Sequence, residues 1–347
     1  MEHMEHPRLG SLRVAPSPLE GAHLAAQQSW FRGRSRMASS AALGLAAVGI
    51  LCAAWPWSAG QFVLHLAILT CINIVIVNGL SLIDRCGQLS FGHSAPVALG
   101  AYGAVLFSSA WGLGTISAAA LALIVAGGVA CLLGWVILRL RGVYFVLVTF
   151  AFAELVRLVL LDAVSVTGGA NGIAAIPPLS IGGFAFDTRE RFYGLALVLA
   201  VASVGFMVWL FSRPLGRAMT AVAANPALAE STGLNVLRLQ IVAYMGGSAL
   251  GALGGVLTAR YIGFVSPESF NTSTSVAFIT MLVIGGRKSL YGPLLGALVL
   301  TPLPELFRGA VQTQHIFYGA ALILILRFLP GGIASILSAK IPPETAK

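Results

Sequence analysis

Long apolar runs separated by short polar segments dominate this chain of 347 residues. A helix needs about 20 apolar residues to cross ~30 Å of hydrocarbon. Ten runs approach this length, and the pattern predicts an all-α, polytopic integral membrane protein with about ten transmembrane or partial helices. These runs lie at about 38–57, 61–83, 95–110, 115–138, 143–161, 192–212, 236–259, 275–286, 292–308 and 315–330.

Two of the ten runs, 95–110 and 275–286, are short for a full crossing. Tilted partial helices and re-entrant pieces buried in protein both fit such lengths. We therefore predict helices at both places and leave open whether they cross the bilayer.

The composition excludes a soluble globular enzyme. Apolar residues make up 57% of the chain and charged residues only 10%, whereas soluble domains have roughly 45–50% and about 25%. The net charge of +9 suits cytoplasmic loops and lipid headgroups, and we expect no nucleic acid partner. The four cysteines form no CxxC spacing, so neither a metal site, a disulfide framework nor a cofactor is predicted.

The distribution of basic residues predicts the orientation. With the amino terminus inside, 16 of the 21 Lys and Arg residues fall on the inner side, as cytoplasmic loops require. We predict cytoplasmic tails at both ends, over 1–37, which we expect to be disordered, and over 336–347. The transmembrane domain between them, 38–335, carries an outer loop at 162–191 and a cytoplasmic loop at 213–235.

Two polar features within the apolar runs admit more than one interpretation. Glu154 and Arg157 are three residues apart in one run, where they form a structural ion pair or line a translocation path. The segment 78–94 is rich in Gly, Ser and amide side chains although it follows an apolar run. It is either a simple inner loop or non-helical backbone that lines a cavity.

Nucleotide hydrolysis is not predicted for this chain. No GxxxxGK[ST] loop occurs, and the nearest string, at 285–289, lacks the required spacing. No HExxH, GxSxG or paired-carboxylate signature occurs either. A transport function needs none of these groups, and a membrane enzyme is disfavoured.

Several long motifs resemble one family of permeases. They are NGLSLIDRCGQLSFGHSAPVALGAYGAVL (78–106), RGVYFVLVTFAFAELVRLV (141–159), TGGANGIAAIPP (167–178), RPLGRAMTAVAANPALAESTGLNVLRLQIVAY (213–244), FVSPESFNTSTSVAFITMLVIGG (264–286) and YGPLLGALV (291–299). In this order they are similar to the permease subunits of branched-chain amino acid ABC importers, of the LivM type more than the LivH type. The resemblance covers about residues 61–332.

Two departures from the family pattern are visible. Arg287 and Lys288 stand where the family often has a further glycine. The generic EAA-x3-G pattern is degraded, although Glu230 is kept three residues before Gly233.

The resemblance implies a subunit without its own ATPase site that forms the translocation path of a binding-protein-dependent importer. Its expected partners are a second permease of the LivH type, two cytoplasmic ATP-binding subunits, a soluble solute-binding protein and membrane lipid. The expected location is the bacterial inner membrane. Branched-chain amino acids are the expected solutes, while members of this family also import urea, short amides and aromatic compounds. A secondary transporter coupled to H⁺ or Na⁺ is the alternative, although Glu154 is the only convincing mid-span carboxylate.

The polar features and the matched motifs together give three sets of candidate site residues. Contact with the ATPase is assigned to Arg217, Asn225, Pro226, Ala229, Glu230 and Gly233. The translocation path is assigned to Asn78, Ser81, Gln88, Ser90, Phe91, Gly92, Glu154 and Arg157. The outer loop contributes Thr167, Gly168, Gly169, Asn171 and Gly172, which meet the binding protein, shape the outer gate or form an ordinary turn.

A short helix is predicted within the cytoplasmic loop. Asn225 is a suitable N-cap and Pro226 suits the first helical position, so the helix is expected over Pro226 to Thr232. Gly233 then occupies the position after the C-cap. Ala227, Leu228 and Ser231 are expected to form a small, partly apolar face for a partner.

Overall fold

The computed structural model describes residues 60–140, 142–306, 319 and 332–334. The predicted tails and the predicted helix at 38–57 lie outside the described residues, as does the helix at 315–330 apart from Gly319. Within the described part the chain is mainly helical, and its strands are a two-residue antiparallel pair, Ser180–Ile181 with Phe184–Ala185.

The helices follow the apolar runs closely. Each apolar run predicted in the described part is observed as a helix within three residues of its predicted bounds, except that the run 292–308 divides at Thr301, before Pro302. Proline has no N–H for the helical ladder, which explains the division. The helices are α1 Gln61–Asp84, α2 Ser94–Ala110, α3 Thr115–Ile137, α4 Val143–Asp162, α5 Val164–Thr167, α6 Arg189–Ser212, α7 Pro214–Ala224, α8 Pro226–Ser231, α9 Val236–Ile262, α10 Thr272–Gly285, α11 Gly292–Leu300 and α12 Pro302–Leu306, with 3₁₀ turns at Gly169–Asn171 and Pro267–Phe270.

Among the residues that the structure describes, five helices, α1, α3, α4, α6 and α9, are long and apolar enough to cross a membrane. The two runs predicted to be short are indeed short, because α2 has 17 residues and α10 has 14. The described residues therefore support a polytopic membrane protein, whereas the full count of ten spans remains a prediction.

Helix α1 forms the centre of the described fold. In its most apolar 18-residue stretch 83% of the residues are buried inside the protein, against 28% to 33% in α3, α4 and α6. It packs against α6, α9, α10 and α11. The outer helices expose large apolar side chains such as Leu132, Leu147 and Val198, and such surfaces suit hydrocarbon or another membrane subunit.

A row of glycines brings α9 into backbone contact with its neighbours. A β-carbon on Gly247 would collide with the carbonyl oxygen of Gly79 in α1, and one on Gly255 would collide with that of Val97 in α2. The spacing of Gly247, Gly251 and Gly255 thus serves close helix packing, as small residues do in lipid.

We expect Gly255→Ala to destabilise the fold because the added methyl group has no space beside Val97. Overpacking of this kind costs about 1–3 kcal/mol. Gly128→Ala in α3 is the matched control, since no atom lies within 4 Å of the added carbon. Thermal unfolding of the purified proteins in one detergent should show a lower midpoint for Gly255→Ala alone, and equal midpoints would contradict this packing.

Candidate functional site

The predicted cytoplasmic loop 213–235 folds into two short helices, α7 and α8. Both begin with proline at the first helical position, where the missing N–H costs nothing. The Oδ1 atom of Asn225 accepts a hydrogen bond from the backbone N–H of Leu228 at 3.1 Å. The predicted N-cap is therefore confirmed, and the helix predicted over Pro226 to Thr232 is observed as Pro226–Ser231.

The end of α8 also matches its prediction. Gly233 has φ +86°, and its N–H donates to the carbonyl oxygen of Glu230 at 3.0 Å. The N–H of Leu234 donates to the carbonyl oxygen of Ala229 at 3.2 Å. These two bonds form a Schellman motif, for which glycine is the preferred residue because of its positive φ.

The two faces of α8 differ in exposure. Leu228 is 63% exposed, and Ala227, Glu230 and Ser231 are also exposed. Ala229 is only 4% exposed and packs inward. A partner on this surface would meet the exposed residues, and Ala229 holds the helix in place from within.

A single apolar cluster fastens α7 and α8 to the helix ends, and we call it the coupling cluster. It consists of Leu82, Cys86, Met207, Leu210, Met219, Val222, Ala229, Val236 and Ala243. These residues come from the end of α1, the end of α6, the start of α9 and both short helices. No sequence pattern predicts this cluster, because its members are scattered over five segments. Burial in it raises the pKa of the Cys86 thiol to about 12.

Asp84 and Arg287 form an ion pair at the same end of α1, and the sequence did not predict it. The Nε atom of Arg287 donates to Oδ2 of Asp84 at 3.1 Å, and its Nη2 donates to Oδ1. The Asp84 side chain is 5% exposed. Hydrogen bonding to Asp84 raises the pKa of Arg287. The residue that replaces a family glycine therefore has a defined partner.

The path candidates Asn78 and Ser81 lie in α1 and are fully buried. The Nδ2 atom of Asn78 donates to Oγ of Ser203 at 2.9 Å, which joins α1 to α6. Ser81 accepts a bond from Nε of Arg85 at 3.4 Å. Both contacts are within the subunit.

The segment 85–93 between α1 and α2 is non-helical, and most of it is buried. Gln88, Ser90 and Gly92 are buried, and the backbone N–H of Phe91 donates to Oγ1 of Thr149 in α4 at 3.2 Å. Non-helical backbone inside a membrane protein needs such internal partners. The segment is thus a buried connection and not a solvated loop, while its lining of a cavity remains a prediction.

Glu154 and Arg157 form the predicted ion pair. The Nε atom of Arg157 lies 2.9 Å from Oε1 of Glu154, and its Nη1 lies 2.7 Å from Oε1 of Glu268. Sequence analysis missed Glu268, which stands in the 3₁₀ turn before α10. Among the described residues, no group of three His, Cys, Asp or Glu side chains has a geometry for a metal ion.

The outer loop is ordered by hydrogen bonds. Thr167 is buried, and its Oγ1 donates to the carbonyl oxygens of Leu160 and Ala163 at 2.6 and 2.9 Å. Gly168, Gly169 and Gly172 all have positive φ, and Asn171 between them is exposed. The turn conformation expected for these glycines is confirmed.

Contacts with the end of α9 and with the residues that follow it help to hold the outer loop in place. Ile173 and Val265 exchange backbone hydrogen bonds of 2.8 and 3.0 Å. Arg260, near the end of α9, donates from Nη1 to the carbonyl oxygen of Pro177 at 3.0 Å and from Nη2 to that of Ala104 at 3.3 Å. These contacts of Arg260 join segments 83 and 156 positions apart, and no sequence motif predicted them.

The fold combines helices long enough to span the bilayer with two short helices, α7 and α8, packed on the ends of the long ones. These features define a multi-pass membrane protein. Residues 62–326 match the model of a family described as the permease component of the branched-chain amino acid transport system. This chain belongs to that family.

The relatives agree with the family match. The chain is 33% identical to the high-affinity branched-chain amino acid transport system permease protein LivM of Escherichia coli K12, over 84% of this chain and 74% of the relative. It is 28% identical to LivH of Salmonella typhimurium, over 49% and 58%. It is 24% identical to a probable LivM of Methanocaldococcus jannaschii, over 60% and 65%. No solved structure matches the chain significantly.

We expect Gly169→Val to impair solute uptake without abolishing membrane insertion. The residue has φ +56°, which a β-branched side chain rarely adopts, and its β-carbon would lie 2.9 Å from Val164. Gly194→Val in α6 is the control, because nothing lies within 4 Å of the added carbon. Uptake by cells with equal amounts of each protein is measured, and a normal rate for Gly169→Val would remove the outer loop from the transport cycle.

Proposed function

We propose that this chain is the permease subunit of a binding-protein-dependent ABC importer for branched-chain amino acids or related small solutes. The observation that carries the proposal is the structured pair α7 and α8, held by the coupling cluster in a chain of the permease family. The sequence has no phosphate-binding loop, so in the proposed importer ATP is hydrolysed by partner subunits.

The exposed face of α8 supports a docking role. Leu228 places an apolar side chain 63% exposed on a helix whose opposite side is anchored by Ala229. Glu230 is exposed beside it and offers a carboxylate to a basic partner residue. Arg217 in α7 and the capping residues Asn225, Pro226 and Gly233 complete the candidate contact with the ATPase.

The translocation path is proposed to run beside α4. Glu154 lies eight residues before the end of α4, about 12 Å inside the helix at 1.5 Å per residue. It is paired with Arg157 on a surface that otherwise exposes apolar residues such as Leu155 and Leu158. Charges at such depth face a bundle interior or a water-filled cavity.

The buried segment between α1 and α2 supports the same placement. Its residue Phe91 is bonded to Thr149, one helical turn and a little more before Glu154 on α4. Asn78, Ser81, Gln88, Ser90 and Gly92 then form the buried support behind the path in the described subunit. Displacement of this segment would alter the surface that α4 presents.

The proposed partners follow from the relatives. LivM and LivH are both permease proteins of a branched-chain amino acid transport system, and we propose a LivH-type second permease for this chain. Two cytoplasmic ATPases and a soluble solute-binding protein would complete the importer in the bacterial inner membrane, with both termini in the cytoplasm.

An ion-coupled secondary transporter is less well supported. Such a protein uses intramembrane carboxylates as coupling groups. Glu154 is bonded to Arg157 at 2.9 Å, so its charge is already balanced within the subunit.

The solute is tested by deletion and complementation. Initial uptake of labelled leucine, urea and benzoate is compared in the parent strain, the deletion strain and the deletion strain that carries the full chain. We expect leucine uptake to be lost and then restored. Restoration of urea or benzoate alone would reassign the solute, and unchanged uptake of all three in the deletion strain would contradict the proposal.

We expect Leu228→Asp to lower uptake by about tenfold, the effect of losing a central apolar contact. The protein should insert normally, because Leu228 is exposed and its loss leaves the coupling cluster intact. Leu228→Met keeps an apolar side chain and is the control. Solute uptake and stimulation of the partner's ATP hydrolysis are measured, and full activity of Leu228→Asp would place the contact elsewhere.

A further inference from the structure

The turn at the end of α1 is held from two sides. On one side the guanidinium group of Arg287 donates two hydrogen bonds to the buried carboxylate of Asp84. On the other side Gly87 lies against Ala223 of α7, where an added β-carbon would come within 3.2 Å of the Cα atom. Cys86 between them belongs to the coupling cluster.

The loop that carries Arg287 also reaches the coupling cluster. Leu290, three residues later, packs against it. Helices α7 and α8, the end of α1 and the loop after α10 therefore share one packed junction. A rigid displacement of α7 and α8 would therefore also displace Asp84 and Arg287.

The segment 85–93 runs from this junction into the interior of the helix bundle. Beyond Cys86 the buried segment reaches α4 at Thr149. It then enters α2, where the N–H of Ser94 donates to Oγ of Ser275 in α10 at 2.9 Å. The hydroxyl groups of Ser94 and Ser275 are also hydrogen-bonded at 2.8 Å. A continuous packed route thus joins α7 to α4 and α10.

We propose that Asp84 and Arg287 form a positioning pair that locks the turn 85–87 between α7 and the loop after α10. Through this turn, motion of α7 and α8 is carried into the rest of the buried segment, residues 88–93. The inference rests on the proposed importer function and adds the residues through which energy coupling passes.

The geometry of the pair suits this role. Two parallel bonds between a guanidinium and a carboxylate fix orientation as well as distance. Coupling between separated sites needs contiguous packed or hydrogen-bonded elements of this kind. An exposed single bond would hold the turn less firmly, because water competes for it.

The two single variants differ in what they leave behind. Asp84→Asn leaves Arg287, whose side chain is 48% exposed and can be hydrated. Arg287→Gln leaves a buried carboxylate without its partner, which is strongly destabilising. Asp84→Asn is therefore the test variant, and the double variant with Arg287→Gln is the second.

The experiment uses the complete importer, in which this chain is purified together with its partner permease and ATPases. The complex is reconstituted in liposomes with its binding protein. The measured quantity is solute imported per ATP hydrolysed. We expect Asp84→Asn to assemble and hydrolyse ATP while this ratio falls by about tenfold. The double variant should be no worse than Asp84→Asn, because residues that act as one unit are not additive.

Asp187→Asn is the matched control. Asp187 pairs with Arg191 at 3.1 Å, but both side chains are about half exposed, so we expect an unchanged ratio. A normal ratio in Asp84→Asn, or a ratio in the double variant well below that of Asp84→Asn, would overturn the positioning role. Loss of assembly in Asp84→Asn and the double variant would assign the pair to folding and also overturn it. Failure of the wild-type importer itself to couple uptake to ATP would instead contradict the proposed function.

Discussion

The structure depends on the close approach of α9 to α1 and α2. Gly247 and Gly255 allow backbone contact with Gly79 and Val97, which larger residues would prevent. In lipid the hydrophobic effect does not drive helices together, so packing at this distance supplies much of the association. With α1 fixed at the centre, the positions of its ends follow. One end supports the coupling cluster and the Asp84 ion pair.

Charge placement follows from the same lack of water. Asp84 is bonded to Arg287, Glu154 to Arg157, and the buried Arg260 to the carbonyl oxygens of two other segments. Asp84 and Arg260 are buried, and in a medium of low dielectric constant such groups would be costly alone. The pair of Asp84 with Arg287 and the bonds of Arg260 lie where segments distant in sequence meet, so these charged groups hold separate parts of the fold together.

The described helices could be predicted because membrane spans are long apolar runs, and the local caps could be predicted because Asn225, Pro226 and Gly233 act on adjacent backbone. The inward position of Ala229 and the partners Glu268 and Arg287 could not be predicted. Arg287 lies 203 positions from Asp84, and no periodic pattern or short motif connects them. Sequence alone also left open whether segment 78–94 was a loop, since only tertiary contacts such as Phe91 with Thr149 bury it.

The central claim is that transport through this chain is powered by partner ATPases that act on α7 and α8. It is tested most directly in liposomes that contain the purified importer, with labelled leucine and the binding protein outside. We predict that uptake requires ATP inside the liposomes and does not respond to an imposed H⁺ or Na⁺ gradient. Uptake by liposomes that contain this chain alone, driven by such a gradient without ATP, would contradict the account.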